Sequence, residues 1–567
     1  MIRLREVGFR YRAAAAPALH ALSADIRSGE LVGVLGASGA GRSTLANLLN
    51  GTIPHLVRGE LTGEVQVAGE DVRRVRPRDL AGRVGFVFQD FEAQLFSTNV
   101  ALEVAFGPEN LGVAPAEIAR RVDECLRLVQ LEGLRHKAPA ALSGGQKQRL
   151  ALASVLALEP DILILDEPTS DLDPAGRRAL LDAVHGLRNR RGVTLILIDP
   201  ETDEQAWLGR FLVLSEGRLA LEGPPEALWD APERLSALGV KPFTLARLAA
   251  ALGLRERWPT AEAAASAIRA AGWTVSRDAA ARLRGASDAS GAPVLSVEGL
   301  AHRYADGTEA LGGVSCAIRQ GEFLAVLGQN GSGKTTLAKH LNGILQPTAG
   351  EIRLHGQSLS GQPPARLSRQ VGLVFQNPDH QIFAERVYDE VAFGPRLQGL
   401  AEAEVDRRVG EALQAVGLTG LEDLDPFVLT KGGRQRVAVA STLATKAEVM
   451  ILDEPTTGLD YRELAGMMGL IQRLNRAGHT IVIITHAMDV AAAHARRVVL
   501  MHAGRIVADG PTREVFGDEA RLEALGLTPP PAVRVANRLG VPALTLDELV
   551  AALVPPPGGA GRAAMDH

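Results

Sequence analysis

The sequence predicts an α/β protein built twice in tandem, each copy a phosphate-loop domain with a helical subdomain and a small C-terminal extension. Three observations predict this. First, Gly328-Gln-Asn330-Gly331-Ser332-Gly333-Lys334-Thr335-Thr336 follows the apolar run Phe323–Leu327 and leads into the helix-forming residues 336–341, the strand-loop-helix setting of a phosphate site. Second, Gly36-Ala-Ser38-Gly39-Ala-Gly41-Arg42-Ser43-Thr44 repeats that setting after the apolar residues 31–35, and Gly36 stands 292 residues before Gly328. Third, each half has an aliphatic run ending in two acids, residues 162–165 before Asp166-Glu167 and residues 449–452 before Asp453-Glu454, at an offset of 287.

In the loop, glycines let the backbone wrap a phosphate, and amides at the helix start point at its oxygens. Lys334 supplies positive charge and Thr335 can hold magnesium, so a nucleoside triphosphate is the expected ligand. An uninterrupted aliphatic run is the pattern of a central parallel strand, and acids at its C-terminal end sit where open α/β sheets bind ligands. The first acid can reach magnesium, and the second can polarise the water that attacks the γ-phosphate.

The repeat covers more than the chemistry. Val87-Phe88-Gln89-Asp90 answers Val374-Phe375-Gln376-Asn377 at 287, so half one carries about five extra residues, around 52–62. Leu238-Gly239, Pro242, Arg247 and Leu252-Gly253 answer Leu525-Gly526, Pro529, Arg534 and Leu539-Gly540. The expected organisation is a first nucleotide-binding domain over 1–225 with its extension over 226–283 and a flexible linker over 284–293. A second domain follows over 294–512, with its extension over 513–554 and a disordered tail over 555–567.

Composition excludes several classes. With 61 basic and 66 acidic residues, a formal net charge of −5 argues against a nucleic-acid binder. Two cysteines, Cys125 and Cys316, are too few for a disulfide framework or a four-thiolate zinc site. No apolar run approaches the ~18–20 residues a membrane helix needs, and the N-terminus lacks the apolar core of a signal peptide. The chain is expected to be cytoplasmic.

Between loop and acids, half one has Leu142-Ser143-Gly144-Gly145-Gln146 followed by Lys-Gln-Arg149. Phosphate loop, glutamine loop, this signature and the acid-tipped strand, in that order and twice over, resemble the nucleotide-binding domains of ABC ATPases over nearly the whole chain. The resemblance implies that ATP and Mg2+ are bound and that the halves pair head to tail, each ATP held between the phosphate loop of one half and the signature of the other.

The departures from the family pattern then sort by site. Half one has Arg42 where the loop lysine belongs, a planar head that cannot replace the compact ammonium, and its switch segment ends Asp199-Pro200 where half two has Thr485-His486. Half two has Leu429-Thr430-Lys431-Gly432-Gly433, with Lys431 replacing the first glycine. Under head-to-tail pairing these changes all fall in one composite site. That degenerate site would comprise Gly36, Ser38, Gly39, Gly41, Arg42, Ser43, Thr44, Gln89, Asp166 and Glu167, with Thr430 and Gly432 across the interface. The competent site would join Gly328, Asn330, Gly331, Ser332, Gly333, Lys334, Thr335 and Thr336 to Ser143, Gly144, Gly145 and Gln146. There Glu454 would orient the water, His486 contact the γ-phosphate, and Thr335, Asp453 and Gln376 arrange magnesium. Tyr11 and Tyr304 stand where an aromatic would stack on adenine.

The segment after each glutamine, Gln376-Asn-Pro-Asp-His-Gln381-Ile-Phe383 through Pro395 and its diverged counterpart from Gln89 through Pro108, is similar to the extra helix in ATPases of energy-coupling factor (ECF) importers for vitamins, their precursors or transition metals. That implies a peripheral position on the cytoplasmic face of the membrane, with a transmembrane coupling (T) subunit and a substrate-binding (S) subunit as partners. Asp379, Glu385, Asp389 and Glu390 are candidates to face arginines on the coupling subunit. The alternatives are a fused twin ATPase of a sugar importer and a soluble ribosome-associated ABC ATPase. Against the first stand the extra helix and the repeated extension. Against the second stand the acidic balance and the weakly charged region between halves.

Overall fold

The computed structural model describes residues 1–557 other than 13, 171, 201 and 286–290. The centre of the expected linker and most of the expected disordered tail therefore lie outside the described residues. The chain divides into two compact units, one of Met1–Arg247 with Asp460–Arg462, the other of Leu248–Leu459 with Glu463–His567.

The first unit is built on a six-stranded sheet. Its spatial order is Arg218–Gly223, Arg210–Ser215, Leu31–Gly36, Thr194–Ile198, Ile162–Asp166 and Val84–Val87. All neighbours are parallel except the first pair. Every residue of Leu31–Gly36, Ile162–Asp166 and Thr194–Ile198 is buried, which is why these strands read as continuous aliphatic runs rather than alternations. Parallel strands end on one edge of the sheet, so Gly36, Asp166 and Ile198 share it. A four-stranded antiparallel sheet, in the order Leu19–Ile26, Ile2–Tyr11, Gly59–Val67 and Glu70–Asp71, accompanies it and buries Ile2, Leu4, Val7 and Phe9. The helices Val100–Asn110, Pro115–Leu128 and Gly144–Leu156 form the helical part, packing Val104, Val122, Leu126 and Leu150.

The second unit repeats both sheets. Its six strands run Val371–Val374, Val449–Asp453, Thr480–Thr485, Phe323–Leu327, Arg497–His502 and Arg505–Pro511, parallel except for the last pair. The helices Val387–Leu397, Glu402–Val416 and Lys431–Ala444 pack around Val391, Val409 and Val437. Gly372 shows how closely the parts meet: a Cβ there would lie 2.3 Å from Cγ2 of Thr442 on the helix Lys431–Ala444. Only glycine lets the strand leading to Gln376 lie that near the helix.

The units do not divide at 225 or at the expected linker. Residues 248–285 belong to the second unit because they pack on its C-terminal part. Thr274–Val275 pairs antiparallel with Leu553–Val554, Ser276 N–H donates to Ala552 O at 2.9 Å, and Glu262 forms ion pairs with Arg534 and Arg538. Extensions foreseen as one per half thus share a two-stranded sheet.

Candidate functional site

Both phosphate loops close in the same way. Gly333 (φ 98°) and Gly41 (φ 99°) precede helices that start at Lys334 and Arg42. A Cβ on Gly333 would lie 2.6 Å from Ala310 O, so the turn needs glycine for its conformation and for its space. The first intrahelical bonds are Leu337 N–H to Gly333 O and Leu45 N–H to Gly41 O, each 2.9 Å, which places the first-turn amides of each helix in the setting that binds an anion. Lys334 is buried, and its Nζ donates to Gly328 O at 2.8 Å and Gln329 O at 2.9 Å. Ser332 Oγ is buried and, among the described residues, has no hydrogen-bond partner. The sequence-predicted residues 328–336 thus form one cradle around a lysine.

At the strand end beside this loop, burial pushes the Asp453 carboxyl up to about 6, against the hydrogen bond from Thr335. Asp453 Oδ1 has no partner among the described residues. A buried carboxylate oxygen that lacks a donor, next to a threonine hydroxyl, is a ligand set for a hard divalent cation. The residues therefore fit Mg2+. Glu454 is buried with φ 47°. Its Oε1 accepts from His486 Nδ1 at 2.8 Å, and its Oε2 accepts from Thr485 Oγ1 at 3.2 Å. Burial works to raise this carboxyl, but the imidazole beside it holds it below the usual range. Gln376 is exposed, two residues beyond the strand Val371–Val374.

Half one builds the same frame and fills it differently. Arg42 Nη2 donates to Glu167 Oε1 at 2.9 Å, and Gln89 Nε2 donates to Glu167 Oε2 at 2.9 Å. Both partners of the ion pair are nearly buried, their side chains 10% and 11% exposed. Pro200 stands at the position of His486, since Asp166 pairs with Ile198 as Asp453 pairs with Ile484. Asp199, at the position of Thr485, accepts from the Thr169 hydroxyl. Burial raises the Asp166 carboxyl, opposed by Arg42 and by a hydrogen bond from Ser43. The sequence flagged Arg42 and the missing histidine as separate changes. It did not reveal that the arginine takes over the histidine's hold on the acid.

Each signature caps its helix. Ser143 and Gln146 form a reciprocal pair, with Gln146 N–H on Ser143 Oγ at 3.3 Å and Ser143 N–H on Gln146 Oε1 at 3.1 Å, a capping box. Thr430 Oγ1 accepts from Gly433 N–H at 3.1 Å. Gly433 at the position of Gln146 removes the reciprocal bond. The two tyrosines lie against the phosphate-loop helices, Tyr11 OH 2.9 Å from Thr44 Oγ1 and Tyr304 OH 3.1 Å from Thr336 Oγ1.

The acids after the second glutamine loop are not a free set. Glu390 is buried, and its Oε2 accepts from Phe383 N–H and Ala384 N–H, each 3.0 Å. Glu103 does the same for Phe96 and Ser97. Glu390 is therefore a brace for its own loop rather than a surface acid. Asp379 pairs with Arg434 of the signature helix at 2.6 Å and Asp389 with Arg396 at 3.3 Å, while Glu385 is exposed. What these braces present instead is apolar. Phe96 and Phe106 stand edge to face at 4.5 Å, Phe383 and Phe393 at 4.8 Å, and all four are exposed.

Comparison with known proteins follows the repeat. The family model described as ABC transporter matches residues 19–170 and again 311–457. A Caldanaerobacter subterraneus protein, provisionally named an ABC transporter ATP-binding protein, is 43% identical over 557 residues, covering 97% of this chain and 98% of its own. A Methanosarcina acetivorans protein of the same provisional name is 40% identical over 558 residues, covering 95% of this chain and 91% of its own. Among solved structures, cbiO1 of Clostridium perfringens, described as part of the ABC transporter complex cbiONQ, is 37% identical. It covers 41% of this chain and 97% of its own with a TM-score of 0.38, too little of the chain to carry an argument.

Proposed function

Because this chain belongs to the ABC transporter family of ATP-binding proteins, in which ATP hydrolysis is coupled to transport, we propose that it is the energising subunit of an ECF-type importer with both ATPases in one chain. The observation that carries the proposal is the exposed edge-to-face phenylalanine pair after each glutamine, one ring from the loop and one from the helix that follows it, Phe96 with Phe106 and Phe383 with Phe393. Paired exposed aromatics at equivalent places in two diverged halves suit an apolar partner segment. None of the described helices is long and apolar enough to cross a membrane; on this reading the membrane path belongs to partners, a coupling subunit and a substrate-binding subunit. The cargo would be a vitamin, a vitamin precursor or a transition metal ion.

On this reading the two composite sites are unlike. In the competent one, Lys334 and the loop amides hold the β- and γ-phosphates, with Ser143 and the Gly145 amide completing the cage. Thr335 and Asp453, with Gln376, would hold Mg2+, which offsets charge on the phosphate oxygens when bound. Glu454 orients the attacking water, and His486 keeps that carboxylate placed and ionised until the γ-phosphate arrives. Such transfer is mostly positioning and electrostatics. In the degenerate one, Arg42 holds Glu167, so nucleotide there is mainly structural. Affinity purification of the tagged chain from its native membrane tests the importer reading. Recovery of a small, very hydrophobic protein supports it, and ATP-dependent co-sedimentation with ribosomes overturns it.

A further inference from the structure

The second signature is occupied by its own chain. Thr430 Oγ1 donates to Glu463 Oε1 at 3.1 Å, and a Cβ built on Gly432 would meet that same Oε1 at 2.8 Å. Glu463 is the third residue of the helix Tyr461–Arg476, and its carboxylate rests on the first turn of the signature helix Lys431–Ala444. A threonine hydroxyl has one proton to give. While Glu463 takes it, Thr430 has none for a phosphate oxygen. The Lys431 ammonium lies against Gly458, 2.6 Å from where a Cβ on that glycine would be.

The first half lacks this arrangement. The residue equivalent to Glu463 is Gly176, also third in its helix, with its N–H on Asp173 Oδ1 at 2.8 Å. A Cβ on Gly145 would meet the methyl carbon Cδ2 of Leu172 at 3.1 Å, and one on Gly144 would meet nothing within 4 Å. Among the described residues no acceptor takes the Ser143 hydroxyl proton. One signature is open to an anion and the other holds one.

We propose that Glu463 determines the asymmetry of nucleotide handling, by holding as a carboxylate the serine-type hydroxyl and glycine turn that a γ-phosphate would need. The inference rests on the composite-site reading given above. Two anions cannot share one hydroxyl proton and one helix start, and removing the carboxylate frees both. Tight engagement of ATP on the Arg42 loop therefore requires Glu463 to withdraw.

Release of methylanthraniloyl-ATP from the purified full chain, in a Glu454→Gln background that prevents turnover, tests this. Lys334→Ala and Arg42→Ala each remove one release phase and so assign the two sites. Glu463→Gln and Glu463→Gly are expected to slow the Arg42-dependent phase by about tenfold, the scale of one charge-assisted hydrogen bond, and to leave the Lys334-dependent phase unchanged. If both variants keep the Arg42-dependent rate and change only thermal stability, Glu463 merely supports the start of its own helix and the proposal fails. If Arg42→Ala removes no phase, the composite-site reading fails and takes the proposal with it.

Discussion

The guanidinium of Arg42 holds Glu167 at 2.9 Å, in the role that the imidazole of His486 fills for Glu454 at 2.8 Å. Each half clamps its second acid with a different cation-capable group, one at the phosphate loop and one just past the strand Thr480–Thr485. The arginine is permanently charged, and a phosphate that reached this loop would have to compete with Glu167 for it. Glu454→Gln is therefore expected to lower steady-state ATP hydrolysis by about a hundredfold or more, while Glu167→Gln leaves most of it. Equal losses in the purified complex would reject the asymmetric model.

Breaking the Arg42 pair has a structural signature of its own. Removing one partner of a nearly buried ion pair costs about 3–5 kcal/mol, because the other charge stays behind. Arg42→Met should lower the first thermal transition of the nucleotide-free chain more than Arg42→Met with Glu167→Gln does. A double-mutant cycle on that transition measures the coupling, and additive losses would show that the two side chains act independently.

Asp453 gives a pH dependence. Its carboxyl is raised from 3.8 to about 6 in the folded chain, so its contribution to stability is fully present below 3.8 and is lost as pH rises through about 6. The metal-free chain should be less stable at pH 8 than at pH 5 by about 1–1.5 kcal/mol from this group, the rest of its contribution being lost already between pH 3.8 and 5. Asp453→Asn should remove that slope in differential scanning calorimetry without Mg2+ and nucleotide. A variant with the wild-type slope would assign it elsewhere.

Glu390 accepts two backbone N–H groups inside the protein. Glu390→Ala leaves both without an acceptor, an expected loss of about 2–4 kcal/mol, and should raise amide exchange at Phe383 and Ala384 in particular. Glu390→Gln keeps one acceptor oxygen and should lose less.

The phenylalanine pair can be separated from ATP chemistry. Phe383→Ala with Phe393→Ala should reduce recovery of the membrane partner in pull-downs by about tenfold or more, the scale of anchor residues at an interface. ATP binding by the purified chain should stay unchanged. Full recovery of the partner would remove this surface from the proposed interface.

Much of this architecture was legible in the residues, for a physical reason. Buried parallel strands must be aliphatic throughout, and the glycines of 328–333 are required by backbone conformation, so both leave marks at fixed spacing. The repeat doubled each mark. What stayed hidden depends on where side chains meet across the fold. Nothing in the spacing of Arg42 and Glu167, or of Thr430 and Glu463, says that they touch. Glu390 reads as one acid among several on an amphipathic helix, and only the path of residues 383–384 turns it inward. The extensions were visible as a repeated pattern, yet repetition cannot say that the two copies pack on each other.

That last pairing bears on how the protein can be taken apart. Residues 274–275 lend a strand to residues 553–554, and Glu262 lies between Arg534 and Arg538. Scissors placed at the region between the repeats, near residue 290, would strand the C-terminal fragment without its edge partner and take Glu262 away from Arg534 and Arg538. A cut beside Arg247 keeps those contacts within one polypeptide. The gene carries two copies of one domain, but the unit division at Leu248 falls about forty-five residues before the strand that opens at Pro293, and the first unit also takes in Asp460–Arg462.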